Sequence, residues 1–444
     1  MFGGRKKSKK KPSGHEAETT ADKRSRKPKT IDGQTISREN PRRASTPARQ
    51  RKDTGGLANR LGFGHFENRG IMRRYLNQNR EEEEETADAN AETTVANENQ
   101  PTIYKNDSMN GPSDIRVTFI DDYCKRGVQV VMREFTQIRS YLPKNLKVEH
   151  FNRHPGRNRY ADVMCLDENR VVLRDRSLKN SYIHASYVRV PENPKAQQYI
   201  CTQGPMEETA EDFWQMIIQE NVSVIVMLCN FYENGEEKCC HYYPRTKNKE
   251  IKFGFLCTVR NIKTGKTGID TSTWSELDVE TNFASSRVYH ILWTDWIDHS
   301  APSDALPVIQ LLKLAKSKAG DGPIVVHCSA GIGRTGTFVG VDYISEKLRH
   351  SLVSTVYMQD LVKEFRRQRL HAIQSASQYV FLHVALIELA VSEKLVELKP
   401  LHRSFQSNYG NYLRKLRRKE CARLVVEVPT PLTTPARTPA ENKK

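Results

Sequence analysis

The chain has 444 residues, 37% of them apolar and 28% charged, too polar on average to fold throughout, so a folded core with unordered flanks is expected. Its net charge of +17 is uneven: residues 1–80 carry 22 Lys/Arg against 7 Asp/Glu, residues 81–110 carry one against nine, and residues 111–399 are close to neutral, so the basic pI of 9.4 belongs to the tails. No apolar leader or membrane-length apolar run occurs, so no secretion or membrane span is expected, and nine cysteines without a C-x-x-C pair argue against a zinc ribbon and for free thiols in cytoplasm or nucleus.

Residues 1–110 open with the basic run RKKSKKK (5–11), pass through RRAST (42–46) and end near EEEEE (81–85). The basic run suits an import receptor or an anionic surface, or is a plain solvated tether. No basic motif interleaved with aromatics is visible, so nucleic acid is not an expected partner. RRAST places Arg42 and Arg43 before Ser45, as a basophilic kinase would read it.

Order is expected from about residue 111 to 399. Val128, Val131, Phe135, Ile138 and Leu142 fall on one helical face, ended by Pro143. Apolar β-rich runs follow in RVVL (170–173), YVRV (187–190), VSVIVML (222–228) and PIVVHC (323–328). Helices are predicted near 334–350, 356–369 and 376–399, the last with Tyr379, Leu382, Leu386 and Leu389 on one side. Interleaved strands and helices predict one α/β domain with a twisted mixed sheet flanked by helices. Residues 400–444, basic and then Pro/Thr-rich, are expected to form an unordered tail, with Thr430, Thr434 and Thr438 each before a proline.

The chemistry concentrates in PIVVHCSAGIGRTGTF (323–338), where a strand pattern runs through a small-residue loop into a helix pattern. Ser329, Ala330, Gly331, Ile332 and Gly333 can curl so that successive N–H groups face one centre, a nest for an oxyanion. The following helix adds its positive end, and the Arg334 fork can grip two phosphate oxygens. The same field favours a Cys328 thiolate, to which Thr335 offers a hydroxyl. The pattern describes a cysteine nucleophile beneath a phosphate cradle. A second C-x5-R, Cys239 to Arg245, has the bulky interior CHYYP and cannot form such a nest.

HCSAGIGRTG resembles the signature loop of the protein tyrosine phosphatases, in the tyrosine-selective branch. The likeness spans about residues 115–395 and includes RNRYADV (157–163), YIHAS (182–186), YICTQGP (199–205), WIDHSAP (296–302) and FRRQRLHAIQSASQY (365–379). It implies a non-receptor phosphatase fold, phosphotyrosine proteins as substrates, and no metal or other cofactor. It further implies Cys328 as nucleophile, Asp298 as general acid and then base, Arg334 with the 329–333 amides on the phosphate, and Gln374 on the attacking water with Gln378 assisting. Tyr160 would wall a deep pocket, Asp162 would hold the peptide backbone, and Lys238 would contact the acid loop. Trp296 would anchor that loop, with Trp293 and Asp295 as framework.

Several positions depart from the family pattern: Ile297 for proline, Ser300 and Ala301 for Gly-Val, His371 for glycine, His184 for asparagine and Tyr243 for tryptophan. Ser300 and Ile297 are expected to alter acid-loop closure, and His371 to narrow the pocket mouth. A phosphotyrosine-binding pseudoenzyme is therefore an alternative. A dual-specificity or lipid phosphatase is a further one, which Tyr160 disfavours.

Overall fold

The computed structural model describes residues 114–174 and 180–426. In chain order, helices α1 (Ile115–Arg126), α2 (Val128–Ile138) and α3 (Glu149–Arg153) precede strands β1 (Arg170–Val172), β2 (Tyr182–Val188) and β3 (Tyr199–Thr202). Helix α4 (Ala210–Gln219) leads to β4 (Val224–Met227), a short ribbon β5 (Tyr232–Glu233) and β6 (Glu236–Glu237), then β7 (Glu250–Phe253), β8 (Cys257–Lys266), β9 (Ser272–Glu280) and β10 (Ser285–Trp293). Helix α5 (Leu306–Lys318), β11 (Ile324–His327), α6 (Arg334–Arg349), α7 (Met358–Gln368), α8 (Ala376–Ser392) and α9 (Pro400–Val426) complete it.

Strands β4 and β11 are buried at every residue, as continuous apolar runs without alternation require. They lie at the middle of a nine-stranded mixed sheet of order β1-β2-β3-β11-β4-β10-β9-β8-β7. The four strands β3, β11, β4 and β10 run parallel, and antiparallel strands extend both flanks. The C-terminal ends of these parallel strands therefore share one edge, where open α/β sheets place their sites. The expected α/β class and mixed sheet are both present.

The helical face read from Val128 to Leu142 is shorter than its spacing suggests. Gly127, at φ 80° and ψ 166°, separates α1 from α2, and α2 stops at Ile138, leaving Leu142 40% exposed. The three predicted C-terminal helices correspond to α6, α7 and α8. Helix α8 is the hub of the helical layer, packing against α1, α2, α5 and α6.

The boundary at 399 needs correction. Residues 400–426, expected to lie in an unordered tail, form α9, which packs on α8 and α1. Pro400 suits a first helical turn, and Leu401, Phe405, Tyr409, Tyr412, Leu413 and Leu416 recur at helical spacing on its inner side. The average polarity of 400–444 conceals that stripe. The basic run, RRAST, the acidic run and the Thr-Pro sites lie outside the described residues.

Candidate active site

Loop 328–333 connects β11 to α6 at the shared strand edge. Cys328 is buried, and its Sγ accepts the Gly331 N–H at 3.3 Å. Gly331 has φ 72°, and a Cβ there would stand 2.1 Å from the Thr202 carbonyl oxygen, so the turn against β3 admits no side chain. No side chain caps the N-terminus of α6 at Gly333, which leaves its first amides and positive end to the loop.

Arg334 is 0% exposed. Its Nη1 donates to Glu233 Oε1 at 2.7 Å and to the Trp296 carbonyl at 3.1 Å, and its Nη2 donates to Glu233 Oε2 at 3.0 Å. Asp298 Oδ1 stands 3.1 Å from the same Nη2. Burial works against the guanidinium's charge, but the facing Cys328, Glu233 and Asp298 raise its pKa above the ordinary arginine value. Its Nε is buried without a partner, a donor left over for an anion's oxygen. The Thr335 hydroxyl is likewise buried and unpartnered, so the bond expected from it to the sulfur is not formed.

The acid loop lies across the guanidinium. Trp296 is buried edge-on against Trp293 and Phe381, and its Nε1 donates to the Ser300 carbonyl at 2.9 Å. The Ser300 hydroxyl donates to the Ile297 carbonyl at 2.8 Å and ties the turn internally. The left-handed residue is His299, at φ 57°, and Ser300 is not left-handed. The conformational penalty expected of serine in a glycine's place is therefore absent. Ile297 points outward, 60% exposed.

The recognition segment is fixed from several sides. Arg157 pairs with buried Asp212 at 2.8 Å, and Arg159 donates to the Gly204 and Pro205 carbonyls. The Tyr160 hydroxyl meets Ser329 Oγ at 2.7 Å, bringing that ring beside the cradle, while Asp162 is exposed. Gln374 overlies Gly333: its Oε1 is 2.8 Å from where a Cβ on that glycine would be. Gln378 is fully buried, accepts from Gln374 N and donates to the Ser300 carbonyl, so it joins the glutamine segment to the acid loop. Lys238, expected at the acid loop, pairs with Glu236 at 2.8 Å. His371 occupies a left-handed turn at φ 60° with its Nε2 sealed from solvent, and burial, then Arg366 and Arg369, lower its pKa to about 4.

Three supporting groups escape a reading by local motif. Glu233, which grips Arg334, stands 101 residues before it, on the β5–β6 ribbon. Arg369 donates to the Gly331 and Ala330 carbonyls and to His184 Nδ1, whose Nε2 meets the Val163 carbonyl at 2.7 Å. His184 thus ties the back of the cradle to the recognition segment. Tyr242 Oη lies 2.7 Å from His327 Nε2 and 2.6 Å from His290 Nε2. Burial holds His327 near 4, so it is neutral. With its Nδ1–H assigned to the Cys328 carbonyl, its Nε2 accepts from Tyr242.

A cysteine thiol, a loop of backbone amides with a buried arginine, a carboxylate and a glutamine thus converge on one strand edge, groups of the kind that covalent phosphoryl transfer needs. The sequence model of the family described as protein-tyrosine phosphatase matches residues 154–388. The human tyrosine-protein phosphatase non-receptor type 9 is 36% identical over 307 residues, covering 64% of this chain and 51% of its own, so the chain spans about half the length of that relative. An Arabidopsis thaliana protein-tyrosine-phosphatase is 36% identical over 237 residues, covering 52% of this chain and 69% of its own. The catalytic domain of human protein tyrosine phosphatase non-receptor type 18 superposes with a TM-score of 0.55 at 28% identity, over 61% of this chain and 99% of its own. That phosphatase has also been solved with HER2 phosphopeptides, superposing with a TM-score of 0.56 at 28% identity, over 62% of this chain and 99% of its own.

Proposed function

The chain belongs to the protein-tyrosine phosphatase family, and on that premise we propose that it hydrolyses phosphotyrosine in proteins through a cysteinyl-phosphate. One observation carries the reading. The fully buried Arg334, with a free Nε, stands between the loop of Cys328 and the carboxylate of Asp298. That closeness supports reading the three as nucleophile, charge clamp and proton source.

In the first step Cys328 Sγ attacks phosphorus, the S–P bond forms, and the bond to the phenolic oxygen breaks. Arg334 and the 329–333 amides hold the equatorial oxygens, and Asp298 gives its proton to the leaving phenolate. In the second step Gln374 orients a water, Asp298 takes its proton, and the S–P bond breaks to free phosphate and the thiolate. No redox or metal chemistry is required. Tyr160 beside Ser329 sets the pocket's depth, so a phosphorylated aromatic side chain reaches Cys328 where phosphoserine stops short. Asp162, exposed at the rim, is available to the substrate's backbone. Holding a phosphotyrosine without turnover is the other reading. Asp298 lies beside Arg334 in spite of Ile297 and Ser300, which favours turnover. Among the described residues no helix is long and apolar enough to cross a membrane.

The test measures turnover of an aryl phosphate and of phosphotyrosine, phosphoserine and phosphothreonine peptides. Cys328→Ser should abolish turnover. Asp298→Ala should lower kcat by roughly 100-fold or more while phosphopeptide binding persists. Phosphotyrosine turnover that survives Cys328→Ser would sink the mechanism, and an unchanged kcat in Asp298→Ala would move the acid elsewhere.

A further inference from the structure

Helix α9 begins beyond residue 388, where the match to the family's sequence model ends, yet it reaches the acid loop. Tyr409 is 0% exposed, and its hydroxyl donates to the Pro302 carbonyl at 2.7 Å. Pro302 closes the loop that Trp296 opens. The Tyr409 ring also lies 6.2 Å from Phe381 of α8, and Phe381 lies 6.0 Å, edge-on, from Trp296. One side chain of α9 therefore touches the far end of the acid loop by a hydrogen bond and its near end through a single intervening ring.

The helix is itself anchored. Phe405 and Leu413, one turn to either side of Tyr409, are buried in the core. At its start, Lys399 Nζ and buried His402 Nε2 lie 2.6 and 2.7 Å from the two oxygens of Asp121 on α1. Tyr409 thus offers its hydroxyl from a fixed position. A donor fixed outside a moving loop restricts where the loop's end can rest, and so where Asp298 rests four residues earlier.

We propose that Tyr409 is a positioning residue for the acid loop, holding its Pro302 end so that Asp298 stays within reach of the leaving oxygen. The inference rests on the reading of Asp298 as the general acid. Its signature is selective. Proton donation matters most when the leaving phenol is a poor one and little when the phenolate is already stable. Loss of positioning should therefore follow the leaving group, whereas general damage to the fold should not.

The experiment uses the full chain, unsubstituted and as Tyr409→Phe, Asp298→Ala and the double variant, with phenyl phosphate and dinitrophenyl phosphate. Tyr409→Phe keeps the ring against Phe381 and removes only the donor. We expect kcat/KM, which reports the step that expels the phenol, to fall by about ten-fold on phenyl phosphate, the scale of one lost hydrogen bond, and to stay nearly unchanged on dinitrophenyl phosphate. In the Asp298→Ala background the same substitution should add nothing. Equal losses on both phosphates, no loss on either, or a full additional loss in the double variant would overturn the proposal alone. Absence of Cys328-dependent turnover in the unsubstituted chain would overturn the phosphatase reading with it.

Discussion

Gly331 shows how much of the site is decided by single atoms. Its φ of 72° is left-handed, and an added methyl would meet a carbonyl of β3 at 2.1 Å. That strand cannot retreat, because β3 pairs with β11 along its whole length. Gly331→Ala should therefore distort the cradle, with a loss of roughly 100-fold or more in kcat measured on an aryl phosphate, since displacement of about 1 Å has that effect. Full activity in that variant would mean the loop tolerates a different path. His371 makes the opposite kind of prediction. A histidine at φ 60° stands where glycine would be unstrained. If its ring limits the mouth, His371→Gly should raise kcat/KM on bulky phosphopeptides more than on a small aryl phosphate; equal gains would remove that role. Cys328, Arg334 and the glycines were legible because they are neighbours in sequence and their spacing has a mechanical meaning. Glu233, Arg369 and Tyr242 were not, since each acts on a partner that only the folded sheet brings close.

Elements are legible in the periodicity of the sequence rather than in its composition. Helices α6 to α8 follow from apolar spacing, and α9 would have too. Its stripe from Leu401 to Leu416 was averaged into the Pro/Thr-rich sequence beyond it. The split between α1 and α2 has a different cause, a backbone conformation invisible to hydrophobic pattern. Gly127, at φ 80° and ψ 166°, lies in a region essentially closed to other residues, and nothing stands within 4 Å of where its Cβ would be. Gly127→Ala should thus cost about 1–3 kcal/mol through the backbone alone, read by urea unfolding, and leave KM unchanged. A loss below about 0.5 kcal/mol would mean the two helices rejoin without strain.

At the scale of the whole molecule, four parallel strands end at one edge, and each end delivers part of the site: Gln203 and Gly204 after β3, Glu233 after β4, the acid loop after β10 and Cys328 after β11. The alternation of strands and helices made that arrangement readable in outline; the order of strands, which places β11 between β3 and β4, was not, because pairing is long-range. The same packing encloses several imidazoles. Burial, with nearby arginines, lowers His184 and His371 to about 3 and about 4. Burial also lowers His327 to about 4, His383 to about 3, and His290 well below its ordinary value. Each is neutral in the folded chain and would take up a proton on unfolding below about pH 6.5, the unfolded value. Their folded pKa values being depressed, the stability they support is complete above that pH. It is lost progressively as pH falls toward the folded values near 4 and 3. Each proton taken up steepens the fall by about 1.4 kcal/mol per pH unit. The carboxylates of Asp114 and Asp121 act lower still. Arg116 is the largest influence holding Asp114 down; at Asp121 burial opposes ionisation, but Lys399 and His402 outweigh it, so these contributions fade only below about pH 4. Urea unfolding between pH 7.5 and 5 should therefore show stability dropping with the slope of more than one proton, well above the carboxylate range. A slope of less than one proton between pH 6 and 5 would mean that these rings are reached by water in the native state.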